Sequence, residues 1–142
     1  MKTAKRQARE IALQALYAWQ LSGGDPLDEA RLQEGFDKTD ARFVENLLRG
    51  VLERAGALEQ LITPHLDRQF QKLSPVERAI LYIGAYELEA HPKTPFKVVL
   101  NEAIELGKVF GGTDGHKFVN GVLEKLALEL RAEEMARVRQ AV

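Results

Sequence analysis

There is no cysteine anywhere in the 142 residues. That removes a disulfide framework, a thiol nucleophile and a zinc–thiolate site, and it fits a reducing compartment. A dominant charge is lacking too. Twenty Lys and Arg stand against 21 Asp and Glu, a formal charge of −1, so no global field draws in a polyanion and any such site must come from local clustering. Long apolar runs are missing. The start, MKTAKRQAREIALQALYAWQ, is basic and interrupted by Gln, Glu and Ala, and no uncharged stretch reaches the roughly 18 residues of a spanning helix. The reading is a cytoplasmic chain with no signal peptide and no membrane segment. Strict apolar–polar alternation, the strand signature, is absent as well.

What is there is spacing of three and four along nearly the whole chain, which predicts an all-α fold. The length suits one domain over residues 1–142, and no repeat or linker divides it. The first helix is expected from an N-cap at Thr3 to Gly23-Gly24. Ala8, Ile11, Ala12, Ala15, Leu16 and Trp19 form its packed stripe, with Lys2, Lys5, Arg6 and Arg9 on a neighbouring face and Tyr17 further along that face. A Gly- and Asp-rich loop follows, with a short helix at Leu27 to Gln33. From Asp40 a long core helix runs until Pro64 disturbs it. SPVE supplies a capping box with Ser74 as N-cap, Pro75 at N1 and Glu77 at N3, opening a helix apolar enough to be central. Thr94-Pro95 is read as starting the next helix in the same manner. Gly107, in the middle of that helix's apolar face, points to close helix contact.

Four cations within nine residues, Lys2, Lys5, Arg6 and Arg9, repel one another unless a polyanion arrives. Single-stranded RNA offers phosphates for them and bases that stack on Tyr17; a solvated basic face is the plain alternative. A second candidate lies in GGTDGHKFVNGVLEKLA. Here Val119, Val122, Leu123, Leu126 and Leu130 define a buried stripe, leaving Lys117, Phe118 and Gly121 on a flank. A base laid on the Phe118 ring, with its backbone approaching where Gly121 has no Cβ, is one reading. The other is that Phe118 packs under a neighbouring helix and Gly121 accommodates it. Gly111, Gly112, Thr113 and Asp114 could form an anion nest, and helix caps explain them equally well. His65, His91 and His116 lack metal-ligand spacing, and Glu102 and Glu105 read as a wet helix face, so neither catalysis nor a cofactor is expected. Glu87 falls among Val76, Ile80 and Ile83, and a carboxylate buried there needs a cationic or amide partner.

RQAREIALQALYAWQLSG, SPVERAILYIGAYEL and PFKVVLNEAIELGKVFGGTDGHKFVNGVLEKLA, in that order, resemble the NusB family of transcription antitermination factors. The resemblance covers nearly the whole chain, apart from Gly24 to Asp40 and the last dozen residues. It implies about seven helices in two small bundles. It also implies binding to the boxA element of nascent ribosomal RNA together with the ribosomal protein NusE, within an RNA polymerase complex that resists termination. By position it assigns Lys2, Lys5, Arg6, Arg9 and Tyr17, with Asp114, Lys117 and Phe118, to RNA, and Glu77 and Arg78 to the neighbourhood of NusE. Gln7 stands where better-known members carry another cation, which lowers the expected salt slope by about one unit. Some relatives form homodimers that cover the basic helix. The alternative reading is a helical scaffold that mainly holds a protein partner, like the NusB-like domains fused to rRNA cytosine methyltransferases; with no methyltransferase domain and no glycine fingerprint in the chain, the stand-alone factor is favoured.

Overall fold

The first helix, α1 (Ala4–Ser22), begins where the Thr3 hydroxyl accepts the Arg6 amide at 3.0 Å and ends at Gly23, whose φ of 74° suits glycine. The computed structural model describes residues 2–112 and 114–140; Thr113 of the candidate nest lies outside them. The next helix, α2 (Pro26–Leu32), is capped by Asp25, which accepts the Leu27 amide, and has Pro26 at its first position. Asp40 caps α3 (Ala41–Ile62) through the Phe43 amide, and Pro64 turns its end into a short 3-10 segment. Before α4 (Pro75–Ala90) the expected capping box is fully formed: Glu77 N–H donates to the Ser74 hydroxyl and Ser74 N–H to the Glu77 carboxylate. Then come α5 (Phe96–Phe110), α6 (Gly115–Leu130) and α7 (Ala132–Gln140). The described residues contain seven α-helices and no strand.

Every residue of α4 from Ala79 to Leu88 is buried, so this helix is the common wall of two groups. On one side α1, α2 and α3 pack together, and on the other α5, α6 and α7 do. One connected apolar core runs through both, from Leu16 and Leu48 to Leu123 and Leu126. Gly107 lets α6 against α5: a Cβ there would sit 2.6 Å from the His116 Cα, the close approach its position predicts.

One feature departs from the expected pattern and another, Arg131, carries no signal in it. Thr94 does not cap α5. The Phe96 amide donates instead to Glu134 of α7 at 2.8 Å, and Pro95 stands at the N-cap with no side-chain bond. Arg131 is buried between α6 and α7. Its guanidinium donates to the carbonyls of Glu87, Leu88, His91 and Thr94 and to the Glu134 carboxylate. The Glu87 and His91 carbonyls also accept the His91 and Thr94 amides, whereas Leu88 has no such backbone donor among the described residues, so one cation gathers the end of α4 and the turn after it while offsetting the negative end of the helix.

Candidate nucleic-acid interface

The direction of α1 against α4 sets the layout. Arg9 meets Glu87 near the end of α4, while Gln20 Nε2 donates to the Pro75 carbonyl at its start, so the two helices run antiparallel. Leu123 packs where Gly84 leaves room, and Arg131 reaches Leu88, so α6 runs parallel to α4. The basic start of α1 and the start of α6 lie toward opposite ends of α4 and are bridged by α5, where Arg6 bonds to Glu102, five residues before the Gly107 that packs on His116. Tyr17 lies about three turns further along α1 than Arg6. The cation cluster forms a first station and the Phe118 ring a second, joined across α5.

At the first station Lys2 is exposed and bonded to Glu10 at 2.8 Å. Arg6 forms a two-pronged pair with Glu102 at 3.0 and 3.2 Å, tying α1 to α5. Glu102, through that hydrogen bond and its charge, raises the Arg6 pKa above its already high ordinary value. Lys5 points another way, its ammonium 5.2 Å from the Phe43 ring centroid. Tyr17, 40% exposed, sits about 20° from Arg6 around the helix axis at roughly 100° per residue.

Arg9 is a correction. It is not on the exposed basic face: its guanidinium donates to both Glu87 oxygens at 2.9 and 2.8 Å, and the two side chains are 5% and 2% exposed. Its cation is inside the protein, out of reach of a phosphate. The partner that Glu87 requires is the residue the sequence reading had given to RNA.

At the second station Asp114 and Lys117 are both exposed and 3.6 Å apart on the first turn of α6. Phe118 is half-buried against the core, and its ring lies 5.0 Å from the guanidinium carbon of Arg68, itself paired with Asp67 at 2.7 Å. A Cβ on Gly121 would meet nothing within 4 Å, so no neighbour within the described residues requires the glycine. The space it faces is a cleft of about 350 Å³ whose lining includes His65, Lys117, Phe118, Gly121 and Lys125. Sequence reasoning missed Lys125 and Arg68. Lys125 was legible, since Lys117, Gly121 and Lys125 repeat at intervals of four; Arg68 comes from a distant loop and carried no such signal.

Glu77 and Arg78 are half-buried rather than on an open face. The Glu77 carboxylate is held by its capping box, and Arg78 Nε is buried with no hydrogen-bond partner among the described residues. Among the described residues there is no cluster of potential metal ligands, and no helix is long and apolar enough to cross a membrane.

The family model for the NusB family matches residues 6–128. The chain belongs to the NusB family. The matched span takes in every candidate residue except Lys2 and Lys5, and stops short of α7. Transcription antitermination protein NusB of Paraburkholderia phytofirmans is 49% identical over 143 residues, 99% of each chain. The protein of the same name from Nitrosospira multiformis is 56% identical over 130 residues, covering 89% of this chain and 82% of its own. Among solved structures, T. maritima NusB superposes with a TM-score of 0.79 at 30% identity, covering 91% of this chain and 94% of that one. A chain from the crystal structure of antitermination factors NusB and NusE in complex with dsRNA gives 0.76 at 26% identity, over 89% and 97%.

Proposed function

We propose that this chain is a transcription antitermination factor. It binds the boxA element of nascent ribosomal RNA together with NusE and joins an RNA polymerase complex that resists termination. The observation that carries the RNA part is Gly121, a helix position that gives up about 1 kcal/mol relative to Ala while facing a cleft that nothing among the described residues fills. Beside it stand an aromatic ring and two lysines, the equipment for a base and its phosphate. We assign RNA contact to Lys2, Lys5, Arg6, Tyr17, Asp114, Lys117 and Phe118, and NusE contact to Glu77 and Arg78. The protein acts without catalysis or cofactor, as one domain over residues 1–142, in the cytoplasm where transcripts are made.

Stacking on Tyr17 and Phe118 requires bases free of a duplex, which favours a single strand, although the related NusB–NusE structure holds dsRNA. With Gln7 neutral and Arg9 buried, three cations remain at the first station, and Lys2 and Arg6 must share theirs with Glu10 and Glu102. Affinity for RNA alone is accordingly modest, and NusE supplies much of the remainder.

The test is fluorescence anisotropy with a boxA oligonucleotide from about 50 to 200 mM salt, with and without NusE. Phe118→Ala should weaken binding by the ~1–3 kcal/mol of one stacked base, and Lys117→Ala should flatten the log–log salt dependence by ~0.7. Binding that ignores both sequence and salt would instead favour the scaffold reading.

A further inference from the structure

A cavity adjoining the first station through Lys5 lies between the starts of α1 and α3 and the turn that joins α4 to α5. It measures about 590 Å³, within the ~300–1,000 Å³ typical of small-ligand pockets. Its apolar lining is Phe43, Ala90 and Pro92 and its cationic lining Lys5, Arg42 and Lys93, with the Lys5 ammonium and the Arg9 guanidinium 5.2 and 5.0 Å from the Phe43 ring centroid. All three lining cations are exposed, and none takes part in an ion pair found among the described residues. That sets them apart from Arg6, Arg9, Arg31, Arg54, Arg68 and Arg131, each of which has its own carboxylate. The one acidic residue in the lining, Asp40, is engaged as the cap of α3. The end of α4 behind the pocket would ordinarily repel an anion, but Arg131 already occupies its carbonyls from within.

We propose that this pocket takes one nucleotide unit of an RNA strand, its phosphate on Lys5, Arg42 and Lys93 and its base against Phe43, Ala90 and Pro92. The proposal rests on the RNA reading above and extends it to a third station. Lys5 and Arg6 are adjacent on the first turns of α1 and face different sides of it, so a strand engaged at Lys2 and Arg6 need only cross the start of that helix to enter. An aromatic lining beside a cationic one matches a base joined to a phosphate. An acidic protein segment would use the cations and leave the apolar lining idle. Asn46 adds hydrogen-bonding capacity at the pocket wall, with one side-chain atom held by His91 at 2.7 Å and the other amide atom bonded to nothing among the described residues.

The test pairs the wild-type chain with Arg42→Ala/Lys93→Ala, exposed positions outside the two stations. Both are titrated with boxA RNA extended by several uridines at each end, and unfolding is followed by circular dichroism. The double variant should melt like wild type, bind the extended RNA about three- to tenfold more weakly, and show a salt slope shallower by ~1.4, two contacts at ~0.7 each. Phe43→Leu should weaken binding with the slope unchanged. If wild type binds and the double variant matches its affinity and slope, this pocket is not an RNA site. If the double variant loses NusE and keeps RNA, the occupant is a protein segment and the proposal is again overturned. A wild-type chain that binds no RNA with or without NusE would defeat the RNA reading itself.

Discussion

Arg9→Ala separates two accounts of the first helix. If Arg9 grips phosphate, the variant should fold normally and lose ~0.7 of salt slope in RNA binding. The structure leads to the opposite outcome. Removing the guanidinium strips both oxygens of Glu87 of their donors at 2.9 and 2.8 Å and leaves a carboxylate that is 2% exposed with only His91 nearby at 3.9 Å. Breaking one side of a buried pair costs about 3–5 kcal/mol, a large part of the ~5–15 kcal/mol that holds a domain together. At ~2–4 °C per kcal/mol for a chain of this size, the melting temperature should fall by roughly 10 °C. Urea unfolding followed by circular dichroism gives the number directly.

The pH dependence supplies an independent check. Burial pushes the Glu87 carboxyl up, but hydrogen bonds from Arg9 and His91 and their charges outweigh it, and the net pKa lies below the ordinary value. A depressed folded pKa gives stabilisation that is fully present above the unfolded pKa, about 4.3 for Glu, and lost as pH falls through the folded value. In Arg9→Ala the burial acts with far less opposition and the pKa rises, so the deficit relative to wild type should be largest at neutral pH and shrink as Glu87 takes up a proton. Arg9→Met with Glu87→Leu should recover most of the loss, because it leaves no charge stranded. An unfolding midpoint unchanged in Arg9→Ala, together with a shallower RNA salt slope, would refute the placement of Arg9 in the core.

Gly121→Ala should raise stability by up to ~1 kcal/mol, since its Cβ meets nothing, and should weaken boxA binding in anisotropy; unchanged binding would remove the glycine from recognition. Gly107→Ala should cost about 1–3 kcal/mol in urea unfolding, because its Cβ would press on His116 backbone atoms that cannot swing aside. Arg131→Met should cost roughly 2–4 kcal/mol by leaving the Leu88 carbonyl without its donor and Glu134 without its cation, with hydrogen exchange accelerating over residues 87–91. Ser74→Ala should cost about 1 kcal/mol through the lost cap and free the Glu77 carboxylate from its box, both readable in a thermal melt.

Helix starts were legible wherever the signal is local. Thr3, Asp40 and the Ser74-Pro75-Glu77 box carry their caps within three residues of the helix they open. The α5 start was misread because its cap comes from Glu134, 38 residues away in the chain, and no local pattern announces a donor and acceptor brought together by tertiary packing. Arg9 failed for a related reason. On a helical wheel it lies about 20° from the buried Leu16, at the edge of the packed stripe, and charge alone assigned it to the outer face. Its partner was legible as well, since Glu87 needed a cation. Two half-observations, an arginine at the edge of a stripe and a carboxylate inside one, define a pair that each residue taken separately leaves unsolved.

The two mid-helix glycines carry the same point into function. Gly107 sits in the middle of its helix's apolar face, where the sequence points to a neighbour, and Gly121 on the flank of its own, where either a neighbour or an absent ligand fits. The structure gives them opposite surroundings: Gly107 has the His116 backbone against it, and Gly121 has open space bordered by a ring and two lysines. A glycine with a neighbour is explained by the fold, and its replacement must lower stability. A glycine without one weakens its helix for nothing the fold requires, so whatever favours it must come from outside the chain. Opposite signs for Gly107→Ala and Gly121→Ala in the same melt would therefore separate a residue kept for packing from one kept for recognition, before any RNA is added.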